Sequence, residues 1–212
     1  KKAKLPKVLN NIYLNKKTPV SLIHFLTNRC NARCSFCFID FDNPKTFAGE
    51  LTLNEIDKMT KNMGDTLLNV NFTGGEPFAR KDILEIAKLY IKNTTIQSIY
   101  ITTNGSLPDR ILSFAREINK FNPNIELNIQ LSIDDIPEKH NAVRKVKNIF
   151  EDCIKSYRQI KNLKISNIGV SVSITVSHEN CSNIKEIFYY LIEDCKIDSI
   201  KCCIVRDEGV YT

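Results

Sequence analysis

The chain has 212 residues, 42% hydrophobic and 25% charged, with a formal net charge of +6. That suits one soluble globular domain with a sizeable core. No apolar run approaches the ~20 residues a membrane span needs. The lysines are scattered along helical stretches without a basic stripe interleaved with aromatics, which argues against a nucleic-acid footprint.

Residues 1–17 read as an irregular basic lead-in, with Pro6 breaking any long helix. The lead-in lacks an apolar signal-peptide core, so the expected compartment is the cytoplasm. In a reducing compartment the eight cysteines serve as ligands or packing rather than disulfides. Residues 18–212 are expected to form one domain.

Ser21 to Thr27 is the first predicted strand, and Cys30-Asn31-Ala32-Arg33-Cys34-Ser35-Phe36-Cys37 follows at its C-terminal end. A helix is expected over Glu50 to Met63, where Thr52 caps and Glu55 completes a capping box. A strand over Leu67 to Thr73 runs into Gly74-Gly75-Glu76-Pro77. The alternation then continues with a helix over Lys81 to Asn93, a strand over Ile96 to Thr103 and a helix over Pro108 to Phe121. Next come a strand over Ile125 to Ile133, a polar loop, and a helix around Ile149 to Ile160. A strand over Ile168 to Val176, a helix over Asn183 to Cys195 and a strand over Ile197 to Val205 complete the series. Such alternation indicates βαβ units and a parallel sheet. Six units, against eight in a full barrel of ~250 residues, predict a partial (β/α)6 TIM-like barrel, open on one side.

The strands have two distinct faces. Leu127, Ile129 and Leu131 share one face of their strand, and Asn128, Gln130 and Ser132 share the other. Val170, Val172 and Ile174 likewise oppose Ser171, Ser173 and Thr175. Unpaired buried polar groups are costly, so several polar faces pointing into one barrel must line a wet or ligand-filled cavity.

Three thiolates in so short a loop can converge on one metal centre, and all-sulfur ligation favours zinc or iron–sulfur. No fourth Cys or His stands at finger spacing, as a closed zinc site would want. Three cysteines on a cubane leave one iron open to a ligand that is not protein. The competing readings are a disulfide pair or free core thiols. In a parallel barrel the ligand site lies at the C-terminal ends of the strands. There the cysteine loop meets the Gly-Gly turn, Thr102-Thr103-Asn104-Gly105 and Ser132-Ile133-Asp134. The paired glycines are expected to allow close approach of a ligand and to leave amides free for it.

On these residues the sequence resembles the radical S-adenosylmethionine (SAM) superfamily. The cysteine spacing with Phe36 before the last cysteine, the Gly74-Gly75-Glu76-Pro77 turn and the six-unit barrel carry the resemblance over about residues 18 to 209. It implies that Cys30, Cys34 and Cys37 hold a [4Fe-4S] cluster whose fourth iron is chelated by the amino and carboxylate groups of S-adenosyl-L-methionine. One electron from the cluster would cleave SAM to a 5′-deoxyadenosyl radical that abstracts hydrogen from substrate. Phe36 would lie near the adenine, and the Gly74 and Gly75 backbone near the methionine amino group. Glu76, Thr103 and Asn104 join this cofactor-binding set. An electron donor such as flavodoxin or ferredoxin is implied as partner.

The segment from Ser132 through His140-Asn141-Ala142-Val143-Arg144 looks like the SPASM-type, peptide-modifying branch. That likeness makes Ser132 and Arg144 SAM contacts, places Val205 against the adenine and implies a peptide or protein side chain as substrate. Two departures stand out. The family usually has Gly after that Arg, where Lys145 stands here, and the chain ends at Thr212, before any cysteine-rich auxiliary-cluster extension. Arg206-Asp207-Glu208-Gly209 resembles the junction to such an extension, so the extension is expected to be missing. The alternatives are a small-molecule radical SAM enzyme of cofactor biosynthesis and, in another class, an iron–sulfur or zinc protein without SAM chemistry. Cys153, Cys181 and Cys195 are expected to pack. One of Cys202 and Cys203 should face the lumen, with Lys201 beside Ser199 and Cys203.

Overall fold

A computed structural model describes residues 5–205. Six parallel strands stand in sequence order: β1 Ser21–Thr27, β2 Asn69–Gly74, β3 Ser98–Thr103, β4 Glu126–Ser132, β5 Ile168–Val176 and β6 Ile200–Ile204. The helices are α1 Leu5–Asn10, α2 Leu53–Lys61, α3 Ile83–Asn93, α4 Pro108–Phe121, α5 Pro137–Arg144, α6 Ile149–Lys161 and α7 Ile184–Glu193. Each strand pairs with its sequence neighbours in parallel register, and β1 and β6 remain the two edges. The α/β alternation and the open partial barrel are as the sequence predicts.

Local chemistry explains the elements. The Thr52 hydroxyl accepts the Glu55 N–H and the Glu55 carboxylate accepts the Thr52 N–H, so the predicted capping box starts α2. Pro108 opens α4 in its first turn, where a missing N–H costs nothing. Residues on the apolar strand faces are almost fully buried: Phe72, Ile101, Ile129, Leu131, Val172 and Ile174 all have 0% exposure. The helices cover that face, with Phe114 and Ile118 of α4, Cys153 and Tyr157 of α6, and Ile187 and Leu191 of α7 in the same core.

Two segments differ from expectation. The lead-in contains α1 and a π-helical turn, Asn11–Asn15. It is pinned because the Asn11 carboxamide donates to the Thr18 carbonyl and accepts the Thr18 N–H. The polar loop after β4 contains α5. Its buried residues, His140 and Arg144, stand four apart on one helix face, so the stripe is real but not apolar, and hydrophobic periodicity passes over it. Arg206 to Gly209 lies outside the described residues.

The opposite strand face lines the lumen in rows set by the register. One row runs Ile23, Asn71, Tyr100, Asn128 and Gly169. Two rows nearer the C-terminal ends, Ser132, Ser173 and Lys201 stand side by side, followed by Thr175 and Cys203. None of the side chains of Gln130, Ser132, Ser171, Ser173 and Lys201 has a hydrogen-bond or ion-pair partner among the described residues. The alternating strands thus give the lumen a polar wall, as their sequence pattern predicts.

Candidate active site

The cysteine loop leaves β1 and is tied down by three different strand ends. The Gly75 and Glu76 amides donate to the Thr27 and Arg29 carbonyls, at 2.7 and 2.9 Å. Both glycines are required by this approach, since a Cβ on Gly74 would overlap the Thr27 carbonyl oxygen and one on Gly75 that of Arg29. Gly74 also takes φ +123°, a conformation open to glycine. The expectation of free amides is therefore corrected: the Gly75 and Glu76 N–H groups are engaged by the loop, because the turn must grip the segment leading to Cys30. The Gly75 carbonyl has no hydrogen-bond donor among the described residues. A carbonyl is the partner that an amino group needs.

At the end of β3, Asn104 reaches the loop directly. Its carboxamide donates to the Asn31 carboxamide oxygen at 2.8 Å and approaches the Cys30 Sγ at 3.7 Å. Asn31 in turn donates to the Ser106 hydroxyl. Glu76, with no exposed surface, organises the turn from behind. Its carboxylate accepts the Phe78 N–H at 2.9 Å, the Thr103 hydroxyl at 2.7 Å and the Asn104 N–H at 2.7 Å. Burial raises its pKa and these three donors oppose the rise. The side chains of Glu76 and Thr103 are thus taken up within the protein.

Past β4, Arg144 donates through Nε and Nη2 to one oxygen of Asp134, at 3.1 and 2.6 Å. The other Asp134 oxygen accepts the Thr175 N–H, and the Asp134 N–H donates to His140 Nδ1. The Arg144 carbonyl accepts the Arg33 N–H at 3.0 Å, inside the cysteine loop. Arg144 Nη1 makes no hydrogen bond within the described residues. The loop also reaches the turn after β5, where the Ser35 hydroxyl donates to Glu179. Asp134, His140 and Glu179 carry this scaffold without having been singled out from the sequence. The Ser-Ile-Asp-Asp segment held the signal for the first, but its partner lies ten residues away.

All eight cysteines are free. Cys30, Cys34 and Cys37 are half-buried on the one loop, and the charges of Cys30 and Cys37 both bear on Cys34. Burial pushes the Cys34 thiol up to about 11 and raises those of Cys30 and Cys37, while the positive charge of Arg144 pulls all three down. Among the described residues no three His, Cys, Asp or Glu side chains converge as ligands of one ion. A cubane instead takes each thiolate on a different iron, so its ligands stand further apart. Phe36 is half-buried beside Cys37. Ser132 faces the lumen, and Val205, just past β6, is bound to the sheet through its N–H to the Val176 carbonyl. Of the remaining thiols, Cys153 is buried and donates to the Asn104 carbonyl, Cys195 is buried, Cys181 is exposed and Cys203 faces the lumen.

An open parallel barrel with a three-cysteine loop gripped by its strand ends defines a class, and the family comparison agrees. Residues 25–191 match the Radical SAM superfamily, and the chain belongs to it. The chain is 30% identical over 201 residues to the Fe-coproporphyrin III synthase of Methanosarcina barkeri (strain Fusaro / DSM 804), a match covering 93% of this chain and 46% of that protein. It is 26% identical over 184 residues to the sporulation killing factor maturation protein SkfB of Bacillus subtilis (strain 168), covering 86% of this chain and 41% of that one. Among solved structures it resembles native anSMEcpe with bound AdoMet and Kp18Cys peptide, with a TM-score of 0.67 at 21% identity over 88% of this chain and 51% of that one. The chain therefore spans about half the length of the relatives it matches. Members of this family bind a [4Fe-4S] cluster and SAM, and the solved relative carries bound AdoMet. Three free thiols on one loop above an unbonded polar lumen are a donor set that fits both groups.

Proposed function

We propose that Cys30, Cys34 and Cys37 hold the cluster and that the lumen below it receives a peptide or protein side chain as substrate. When bound, cluster and SAM supply an electron and a 5′-deoxyadenosyl radical that abstracts a hydrogen atom. The protein orients and excludes water. The Gly75 carbonyl is available to accept from the SAM amino group. Arg144 Nη1, with the rest of its guanidinium fixed on Asp134, and the unbonded Ser132 hydroxyl are available for SAM oxygens. Phe36 and Val205 supply apolar surface for the adenine. Glu76, Thr103 and Asn104 act by holding the loop and turn in place.

The observation that carries this reading is the lumen wall itself. Polar side chains on successive strands point inward without partners, directly below a cysteine loop anchored at three strand ends. The peptide substrate is supported by the likeness to SkfB, by the Kp18Cys peptide bound to anSMEcpe and by the open side between β1 and β6, through which an extended chain can enter. A small-molecule reaction of cofactor biosynthesis is the second reading, favoured by the match to Fe-coproporphyrin III synthase over most of the chain. A reducing compartment, the cytoplasm, suits eight free thiols.

The test is anaerobic reconstitution with iron and sulfide, then dithionite and SAM. The reading expects 5′-deoxyadenosine by mass spectrometry and its loss, with loss of the cluster absorbance near ~420 nm, in Cys34→Ala. A brown Cys34→Ala protein would refute the ligand assignment. Stimulation of 5′-deoxyadenosine formation by a random peptide pool, and not by coproporphyrin, supports the peptide reading; the reverse supports the second.

A further inference from the structure

The lumen is not chemically uniform. On β1 its face is apolar, with Ile23 and Phe25 left 61% and 53% exposed. Across β4, β5 and β6 it presents hydroxyls and one ammonium, Ser132, Ser173 and Lys201 in one row. Ser173 is only 9% exposed, and its hydroxyl has no partner among the described residues. On so covered a residue the hydroxyl is open only to the lumen, where a ligand atom or an ordered water can bond it. Lys201 is next to it, one strand spacing of about 4.8 Å across the sheet, and it forms no ion pair among the described residues.

The built-in carboxylates are either distant or already engaged. Along the lumen faces of β1 to β6 the carboxylate among the described residues is Glu126, in the bottom row beside Ser98 and six residues below Ser132 on β4. At strand rise that is about 20 Å from the Lys201 row. Asp134 and Glu76, nearer the mouth, already accept from Arg144, Thr175, Thr103 and backbone amides. An anion entering the lumen therefore meets a Lys201 that has no ion-pair partner among the described residues. One ammonium plus neighbouring hydroxyls balances a single negative charge and offers donors in a line, which matches a carboxylate rather than a phosphate dianion.

We propose that the β5–β6 wall of the lumen is a carboxylate-binding subsite, in which Lys201 and Ser173 hold a carboxylate of the substrate while its apolar part lies towards Ile23 and Phe25. This rests on the radical SAM reading of the lumen as the substrate site. The carboxylate belongs either to a free acid or to an acidic side chain of a peptide.

The experiment is isothermal titration of the 212-residue chain, cluster-loaded and with SAM, with two pairs of probes. One pair is 3-phenylpropionate and 3-phenylpropanamide. The other is an acetylated, amidated pentapeptide carrying a single glutamate and its glutamine counterpart. The expected result is a preference of tenfold or more for the carboxylate over its amide in at least one pair. Preference in the first pair assigns a free acid, and preference confined to the second a peptide side chain. Lys201→Met should abolish the preference, Lys201→Arg should retain it, and Ser173→Ala should weaken carboxylate binding three- to tenfold. Thermal unfolding of each variant checks that it is folded. No preference in either pair, or a preference that survives Lys201→Met, overturns the proposal. So does a Lys201→Met protein that loses SAM binding instead, since the lysine would then serve the cofactor. Absence of 5′-deoxyadenosine from the wild-type chain would overturn the underlying reading, and it is scored separately because the titrations need no turnover.

Discussion

Glu76 and Asp134 show how few side chains hold the mouth of the barrel. Both Glu76 oxygens accept, and its three donors are a hydroxyl and two backbone amides from separate segments. Glu76→Gln replaces one acceptor with an NH2 that faces a donor. The expected loss is about 1–3 kcal/mol of stability, read from urea unfolding of the cluster-free chain, with a weaker grip on the Asn104 turn. A variant as stable as the wild type would show the carboxylate to be dispensable. Asp134 is the partner of a guanidinium only 5% exposed. Asp134→Ala leaves that charge buried and unpaired, at a cost of about 3–5 kcal/mol. The double variant Asp134→Leu/Arg144→Met should recover a large part of the loss, because the penalty lies in the orphaned charge. An additive double-mutant cycle would argue against direct coupling.

At the level of elements, the Gly-Gly turn and α5 set the cysteine loop from opposite sides. A Cβ at Gly75 meets backbone, the Arg29 carbonyl, and neither strand can yield without moving the other. Gly75→Ala is expected to destabilise by about 1–3 kcal/mol and to lower the iron bound per chain on reconstitution. Full iron content in a Gly75→Ala protein would mean that the loop can retreat. Helix α5 ends at Lys145, which caps it in the left-handed conformation at φ 54° and ψ 36°. This accounts for the glycine usual at that position in the family: the site is a helix C-cap where a Cβ is unfavourable. Lys145→Gly should stabilise the chain by about 1 kcal/mol, visible as a raised unfolding midpoint. A lowered midpoint would show that the lysine side chain contributes more than its backbone strain costs.

For the whole molecule, two buried imidazoles set the acid limit. His24, on the core face of β1, has Nδ1 at 3.0 Å from the Tyr90 hydroxyl; burial, then the charge of Arg80, lowers its pKa to about 4. His140, which accepts the Asp134 N–H, is lowered to about 2 by burial and then by Arg144. Both are neutral in the folded chain and titrate near ~6.5 when unfolded. Below that pH the unfolded state binds the extra protons, so stability is full above pH ~6.5 and falls as the pH drops towards the folded values. The two together should remove about 3–4 kcal/mol between pH 7 and pH 5, and His24→Phe should remove about half of that dependence. A urea midpoint that is flat over this interval would contradict neutral burial of both rings.

Much of this molecule can be read along the chain, and the reasons are local. Strand and helix alternate because period-two and helical patterns alternate, and the capping box at Thr52 and the proline at 108 mark their own helix starts. The two-faced strands announce a wet lumen because a face of Asn, Gln, Ser and Thr cannot sit in a dry core. Three cysteines within eight residues stand on one loop whatever the fold, so their candidacy as ligands can be read without it. What only the tertiary structure decided is which polar groups are left over for a ligand. Glu76 and Thr103, Asn104 and Asn31, and Lys201 and Ser173 meet across turns 27, 73 and 28 residues apart. Hydrogen bonding saturates, so a donor engaged by a distant strand is lost to the cofactor, and the packed barrel fixes which groups those are.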